Sequence, residues 1–110
     1  MQPLPTMPRL AFGTGDTICS TVPDCSVSIR QGLAQGFRHI DTAYEYKTQA
    51  AVARALRESG LPRSAVFVTT KIPGPVGYEA ALKTHAENLQ QLNLSSVDLL
   101  LVESAATRLP

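Results

Sequence analysis

No segment of this sequence is both long and apolar enough to cross a bilayer. Its strongest run, VDLLLV (97–102), carries Asp98 and falls far short of the ~20 residues a spanning helix needs. Neither sign of charge is in excess: ten basic and nine acidic residues leave a net charge of +1, mixed along the chain. There is thus no basic stripe for nucleic acid and no basic amphipathic helix for a membrane surface. Cysteine is scarce. Cys19 and Cys25 lie six apart in an expected loop; a disulfide between them is geometrically possible, but without a secretion signal free thiols are the expectation. The opening MQPLPTMPRL has early prolines and no apolar core of a signal peptide, so a cytoplasmic chain is expected. Metal-ligand spacing is missing too. His39 is expected to pack within a strand and His85 to lie solvated on a helix, neither with Cys or carboxylate partners. Gly13 and Gly15 do not form the dinucleotide-binding GxGxxG pattern, and there is no P-loop.

What is present is alternation. Hydrophobic residues make up 44% and charged residues 17% of 110 residues, the composition of one small globular domain. RLAFGT (9–14) reads as a short strand closed by Gly13 and Gly15. Asp24 is a candidate N-cap for a helix over 25–35 that stops at Gly36. FRHID (37–41) is a second strand. A second helix over 47–59 has Thr48 as candidate cap, an apolar stripe at 50, 52, 53 and 56, and Gly60 as terminator. AVFVTTK (65–71) is rich in β-branched residues and nearly continuously apolar, as a strand buried on both faces should be. After the loop IPGPVG, a third helix over 78–92 carries Leu82, Ala86, Leu89 and Leu92 on one side. SVDLLLV (96–102) is the fourth strand.

Strand and helix in strict alternation specify an α/β fold with a parallel sheet. In such sheets functional groups collect at the C-terminal strand ends. Asp41 ends the second strand, Lys71 the third and Glu103 the fourth, and Tyr46 lies just beyond Asp41. Each has an ordinary role taken singly: a turn-forming Asp, solvated Lys and Glu, a Tyr with its hydroxyl in water. Their convergence from distant segments is the stronger signal.

Residues GFRHIDTAYEYKTQAAV (36–52) resemble the N-terminal signature of the aldo-keto reductases, matching at Gly36, Phe37, Arg38, His39, Ile40, Asp41, Thr42, Ala43, Gln49 and Val52. MPRLAFGTG (7–15) is similar to the family's opening strand and glycine turn, FVTTKI (67–72) to its lysine strand, and NLQQLNLSSVDLLLV (88–102) to the helix and strand that follow. The resemblance implies the N-terminal half of a (β/α)₈ TIM barrel, with residues 1–110 a single partial domain of four parallel strands and three helices. It implies an NADPH-dependent oxidoreductase that reduces a small-molecule carbonyl substrate. By motif position Tyr46, Asp41 and Lys71 take catalytic roles and Tyr44 is a neighbour. Gly13, Thr14, Gly15 and Asp41 are the cofactor-binding residues the chain offers.

The chemistry agrees. Carbonyl reduction needs hydride at carbon and a proton for the forming alkoxide. A phenol is a reluctant acid at neutral pH, and a neighbouring ammonium favours the phenolate left behind. A carboxylate at Asp41 would hold that ammonium in place. Two departures from the family pattern stand out. Glu103 occupies the place of the usual His, followed by Ser104-Ala105 in place of Trp-Pro, which resembles the family's steroid double-bond reductases; a neutral carboxyl there would donate a hydrogen bond to a substrate oxygen. Beside these, Ala53 in place of the signature's small Gly or Ser is only a minor steric change. The other departure is length, since such a barrel needs roughly 250 residues. A half barrel exposes its first and fourth strand edges, and self-association of two half barrels would cover them. Three functions are compatible with these residues: carbonyl reduction, a non-catalytic binding or regulatory partner, and reduction of an activated C=C bond by virtue of Glu103.

Overall fold

The computed structural model describes residues 6–15, 19 and 21–103. Four parallel strands lie side by side in sequence order: β1 (Phe12–Gly13), β2 (His39–Asp41), β3 (Phe67–Pro73) and β4 (Leu99–Glu103). Between them run helices α1 (Cys25–Ala34), α2 (Gln49–Ser59) and α3 (Tyr78–Leu92), with a 3-10 turn at Tyr44–Tyr46. No described helix is long and apolar enough to cross a membrane.

The helix ends follow from local chemistry. Asp24 caps α1, its Oδ1 accepting from Ser26 N–H at 3.0 Å and Ser26 Oγ at 2.6 Å. These bonds, chiefly the one from the Ser26 hydroxyl, hold the Asp24 carboxyl below its ordinary range. Gly36 and Gly60 follow α1 and α2 with φ of 106° and 72°, a region where a side chain would be strained. Thr48 precedes α2 as expected but makes no capping bond. Its hydroxyl donates instead to Thr14 Oγ1 at 3.1 Å.

Parallel register puts paired residues on the same face of the sheet. Phe12, Ile40 and Val68 therefore share the helix-facing side, while Gly13, Asp41, Thr69 and Leu99 share the other. Ile29, Leu33, Ile40, Val52, Ala55, Val68 and Leu92 form the core between sheet and helices. Gly32 allows α1 to press onto β1, since a Cβ there would stand 2.6 Å from the Phe12 ring. β3 is buried on both faces over its first four residues, matching its continuous apolarity.

Several expectations are corrected. β1 pairs over two residues rather than six, because the pairing register with the short β2 ends there. The α2 stripe is shifted: Gln49, Val52 and Ala55 are buried while Ala50 is exposed. The cause is that Gln49, at the first turn, has polar partners inside. On α3, Leu92 is buried but Leu82 is 55% exposed and Ala86 is exposed as well. Only the C-terminal half of that face packs against the core. His85 is half-buried with its Nδ1 sheltered from water, rather than solvated. Cys19 and Cys25, read as free thiols, are joined in a disulfide, with Cα atoms 4.9 Å apart and both residues in the core. Ser104 and Ala105 lie outside the described residues.

This packing yields a contrast within the apolar residues. Ile40→Ala removes a fully buried side chain and is expected to cost about 2–5 kcal/mol in urea unfolding. Leu82→Ala, at a position the sequence pattern marked as core, is expected to change stability by no more than about 0.5 kcal/mol.

Candidate active site

The sheet brings one cluster of charged and hydroxyl groups to the C-terminal strand ends. Lys71 extends from β3 and its Nζ lies 2.9 Å from each carboxylate oxygen of Asp41, at the end of β2. The same ammonium donates to the Thr42 carbonyl at 3.2 Å and to Tyr46 Oη at 3.1 Å. It also stands 4.8 Å from the centroid of the Tyr46 ring. Asp41, Lys71 and Tyr46 are thus gathered as the sequence suggests, although β3 continues two residues past Lys71 to Pro73.

Electrostatics decide the state of the lysine. The side chain of Lys71 is 13% exposed, and desolvation, the largest single influence, pulls its pKa down. The hydrogen bonds to Asp41 and Tyr46 and the charge of the Asp41 carboxylate together outweigh it, so Lys71 titrates above its ordinary value. The ammonium is therefore retained at physiological pH, held between a carboxylate and a phenol.

Tyr46 is placed by the turn that carries it. After Asp41 the chain enters Thr42 and Ala43, both fully buried, and the Tyr46 N–H donates to the Ala43 carbonyl at 3.2 Å. Lys47 then takes a left-handed conformation, φ 59°, which redirects the backbone into α2. The Tyr46 ring packs against Gly15, where a Cβ would meet the ring at 2.6 Å. Tyr44 points elsewhere. The Glu87 carboxylate on α3, by its pull on the phenolic proton and by its charge, raises the Tyr44 phenol above its ordinary pKa.

The last residue of β1 and the two that follow it behave differently from one another. Gly13 has open space where a side chain would begin, with no atom within 4 Å. Thr14 is fully buried; its N–H and hydroxyl both donate to the Asp41 carbonyl, at 3.1 and 3.0 Å. Gly15 is taken up by the Tyr46 ring. Gly13 pairs with Asp41 and leaves open space where a side chain would begin, which fits the approach of part of a planar ring.

Glu103 closes β4 in register with Pro73, and one carboxylate oxygen is buried with no hydrogen-bond partner among the described residues. By strand alternation it shares the face of Asp41 and Lys71. Sequence reasoning missed three contributors: Thr14 as the tie between β1 and Asp41, the Thr42 carbonyl as a lysine acceptor, and Gln49 as a buried polar residue. Gln49 had a signal, being the polar position of an otherwise apolar helix start; the other two depend on backbone geometry that side-chain types do not encode.

Residues 13–110 match the aldo/keto reductase family. The chain is 37% identical over 97 residues to a 9,11-endoperoxide prostaglandin H2 reductase of Trypanosoma cruzi, covering 87% of this chain and 34% of that protein. An aldo-keto reductase from a Medee basin deep-sea metagenome superposes with a TM-score of 0.80 at 36% identity, over 89% of this chain and 35% of that one. The aldo-keto reductase of Bombyx mori, solved in complex with NADP, superposes with a TM-score of 0.78 at 29% identity, over 87% of this chain and 34% of that one. The chain spans about a third of the length of these relatives, and its four parallel strands correspond to one side of their barrels. It belongs to the aldo/keto reductase family.

Proposed function

We propose that this chain carries the proton-donating centre of an NADPH-dependent reductase that converts aldehydes or ketones to alcohols. The observation that supports this most directly is the placement of one ammonium, Lys71 Nζ, against both Asp41 oxygens and the Tyr46 hydroxyl at once. Tyr46 is the donor: its phenolic proton passes to the carbonyl oxygen as the carbonyl carbon accepts hydride, and the alcohol leaves a phenolate on Tyr46. The Lys71 ammonium at 3.1 Å stabilises that negative charge, and a site sheltered from water strengthens the effect. Asp41 keeps the lysine charged and in place. A nicotinamide cofactor, when bound, supplies the hydride; Gly13 and Asp41 are the residues here that would lie beside it, with Thr14 and Gly15 shaping the turn. The relative solved with NADP favours that cofactor class.

A second reading rests on Glu103. One buried oxygen of Glu103, with no partner among the described residues, lies on the face of Lys71, and in its neutral form the carboxyl would donate a second hydrogen bond to a substrate oxygen. Two donors on the oxygen of an enone favour hydride delivery to the conjugated C=C bond. Product analysis with an enone separates the two: an allylic alcohol supports carbonyl reduction, a saturated ketone the double-bond chemistry.

Calorimetric titration of the folded chain with NADPH is expected to show saturable binding. Tyr46→Phe should leave that binding in place and lower carbonyl turnover by about 10²–10⁴-fold, the usual worth of a positioned general acid. A folded chain that does not bind NADPH, or a Tyr46→Phe variant with unchanged turnover, overturns the proposal.

The raised pKa of Lys71 also has a stability consequence. A basic group that titrates higher when folded contributes stability in full below its unfolded pKa and loses it as pH rises through the folded one. The unfolding free-energy difference between the native chain and Lys71→Met is therefore expected to be constant at neutral pH. It should shrink only above pH 10.5, the ordinary value for lysine, as followed by urea unfolding at increasing pH.

A further inference from the structure

A second polar cluster lies behind the first, between α2, α3 and β3. Gln49 is 1% exposed. Its Oε1 accepts from Thr70 Oγ1 at 2.6 Å, and its Nε2 donates to Asn88 Oδ1 and Gln91 Oε1, both at 2.8 Å. Asn88 is fully buried and its Nδ2 donates to the backbone carbonyl of Lys71 at 3.3 Å. One residue earlier on α3, the Glu87 carboxylate faces the hydroxyl of Tyr44, in the same 3-10 turn as Tyr46, and raises its pKa.

One edge of α3 thus reaches both arms of the site. Asn88 bonds the strand that carries Lys71, and the Glu87 carboxylate faces the turn that carries Tyr46. Gln49 ties the start of α2, three residues beyond Tyr46, to the same edge and to Thr70. None of these bonds involves Lys71 Nζ, the Asp41 carboxylate or the Tyr46 hydroxyl.

Stability alone is a weak account of this cluster. Burying several amides and a hydroxyl is costly unless every bond is made, and apolar residues of similar volume would stabilise the same helix–strand contact at least as well. What a fully satisfied polar network provides instead is a single fixed geometry, because slippage leaves buried groups unpaired. Proton transfer needs that fixity, since small displacements of a reacting group are expensive in rate.

We infer that Asn88 and Gln49 are positioning residues, which together with the Tyr44–Glu87 contact form a brace on α3 that sets the Lys71–Tyr46 geometry from behind. The inference rests on the reading of Lys71 and Tyr46 as the catalytic pair, but it is tested by geometry and not by turnover.

The measurement is NMR on the 110-residue chain, following the NOE between the Lys71 ε-methylene and the Tyr46 ring, with urea midpoints measured in parallel. Asn88→Ala is expected to weaken or abolish that NOE. Leu92→Ala, one turn further along α3 and 1% exposed, is expected to lower the urea midpoint while the NOE keeps its native strength. Tyr44→Phe, which removes one hydroxyl from a half-buried ring, is expected to fold and to weaken the NOE, so the test stands even if Asn88→Ala does not fold. An unchanged NOE in Tyr44→Phe and in any folded Asn88→Ala sample overturns the brace, as does an equal loss in Leu92→Ala. If the NOE responds as expected in a chain whose Tyr46→Phe variant keeps its turnover, the brace stands and the proton-donor assignment falls.

Discussion

A lysine ammonium with little access to water is the constraint around which this site is organised. Removing such a charge from solvent is unfavourable by several kcal/mol unless its protons are accepted elsewhere. In this chain every acceptor comes from outside β3: two carboxylate oxygens at the end of β2, a carbonyl one residue later, and the Tyr46 hydroxyl from the turn beyond. Satisfying Lys71 therefore demands that β2 and β3 lie in the observed register and that residues 42–46 fold back over the strand ends. Stability and chemistry make the same demand on the same atoms.

The surroundings read as successive supports for that arrangement. On the β1 side, Thr14 bonds the Asp41 carbonyl twice, fixing the strand end from which the carboxylate projects, and Thr48 bonds Thr14 in turn. Gly15 offers the Tyr46 ring a flat backbone surface that a side chain would block. On the far side, Gln49 and Asn88 connect α2, α3 and the Lys71 backbone. The ion pairs that join α1 and its cap to α2, Arg54 with Asp24 and Arg30 with Glu58, and the Arg54–Glu58 pair within α2, lie at the surface. They contribute little by comparison, since exposed pairs are screened and cost side-chain entropy.

Much of this was legible in the residues. Alternating segments, glycines at 36 and 60 and the β-branched run into Lys71 specify a parallel α/β wall, and Asp41, Tyr46 and Lys71 fall where such a wall concentrates function. The misreadings share a cause. The 3.6-residue pattern on α3 says that Leu82 and Leu92 face the same way, but not whether anything lies opposite; only Leu92 meets the core. Thr48 has the residue type of a cap, yet a buried hydroxyl at Thr14 competes for it. Cys19 and Cys25 were judged from compartment, while their pairing depends on where the loop returns to α1.

By itself, then, the sequence determined the order of elements, their helical or extended character and the kinds of acid, base and hydroxyl available, because these follow from sterics and solvation within a few residues of each position. Only the tertiary structure decided which groups meet. Asp41 and Lys71 are 30 residues apart, Thr14 and Thr48 are 34, and Gln49 and Asn88 are 39. Contacts over such separations are set by how strands register and helices cross, and a shift of one residue in a strand's register would turn its side chains to the opposite face.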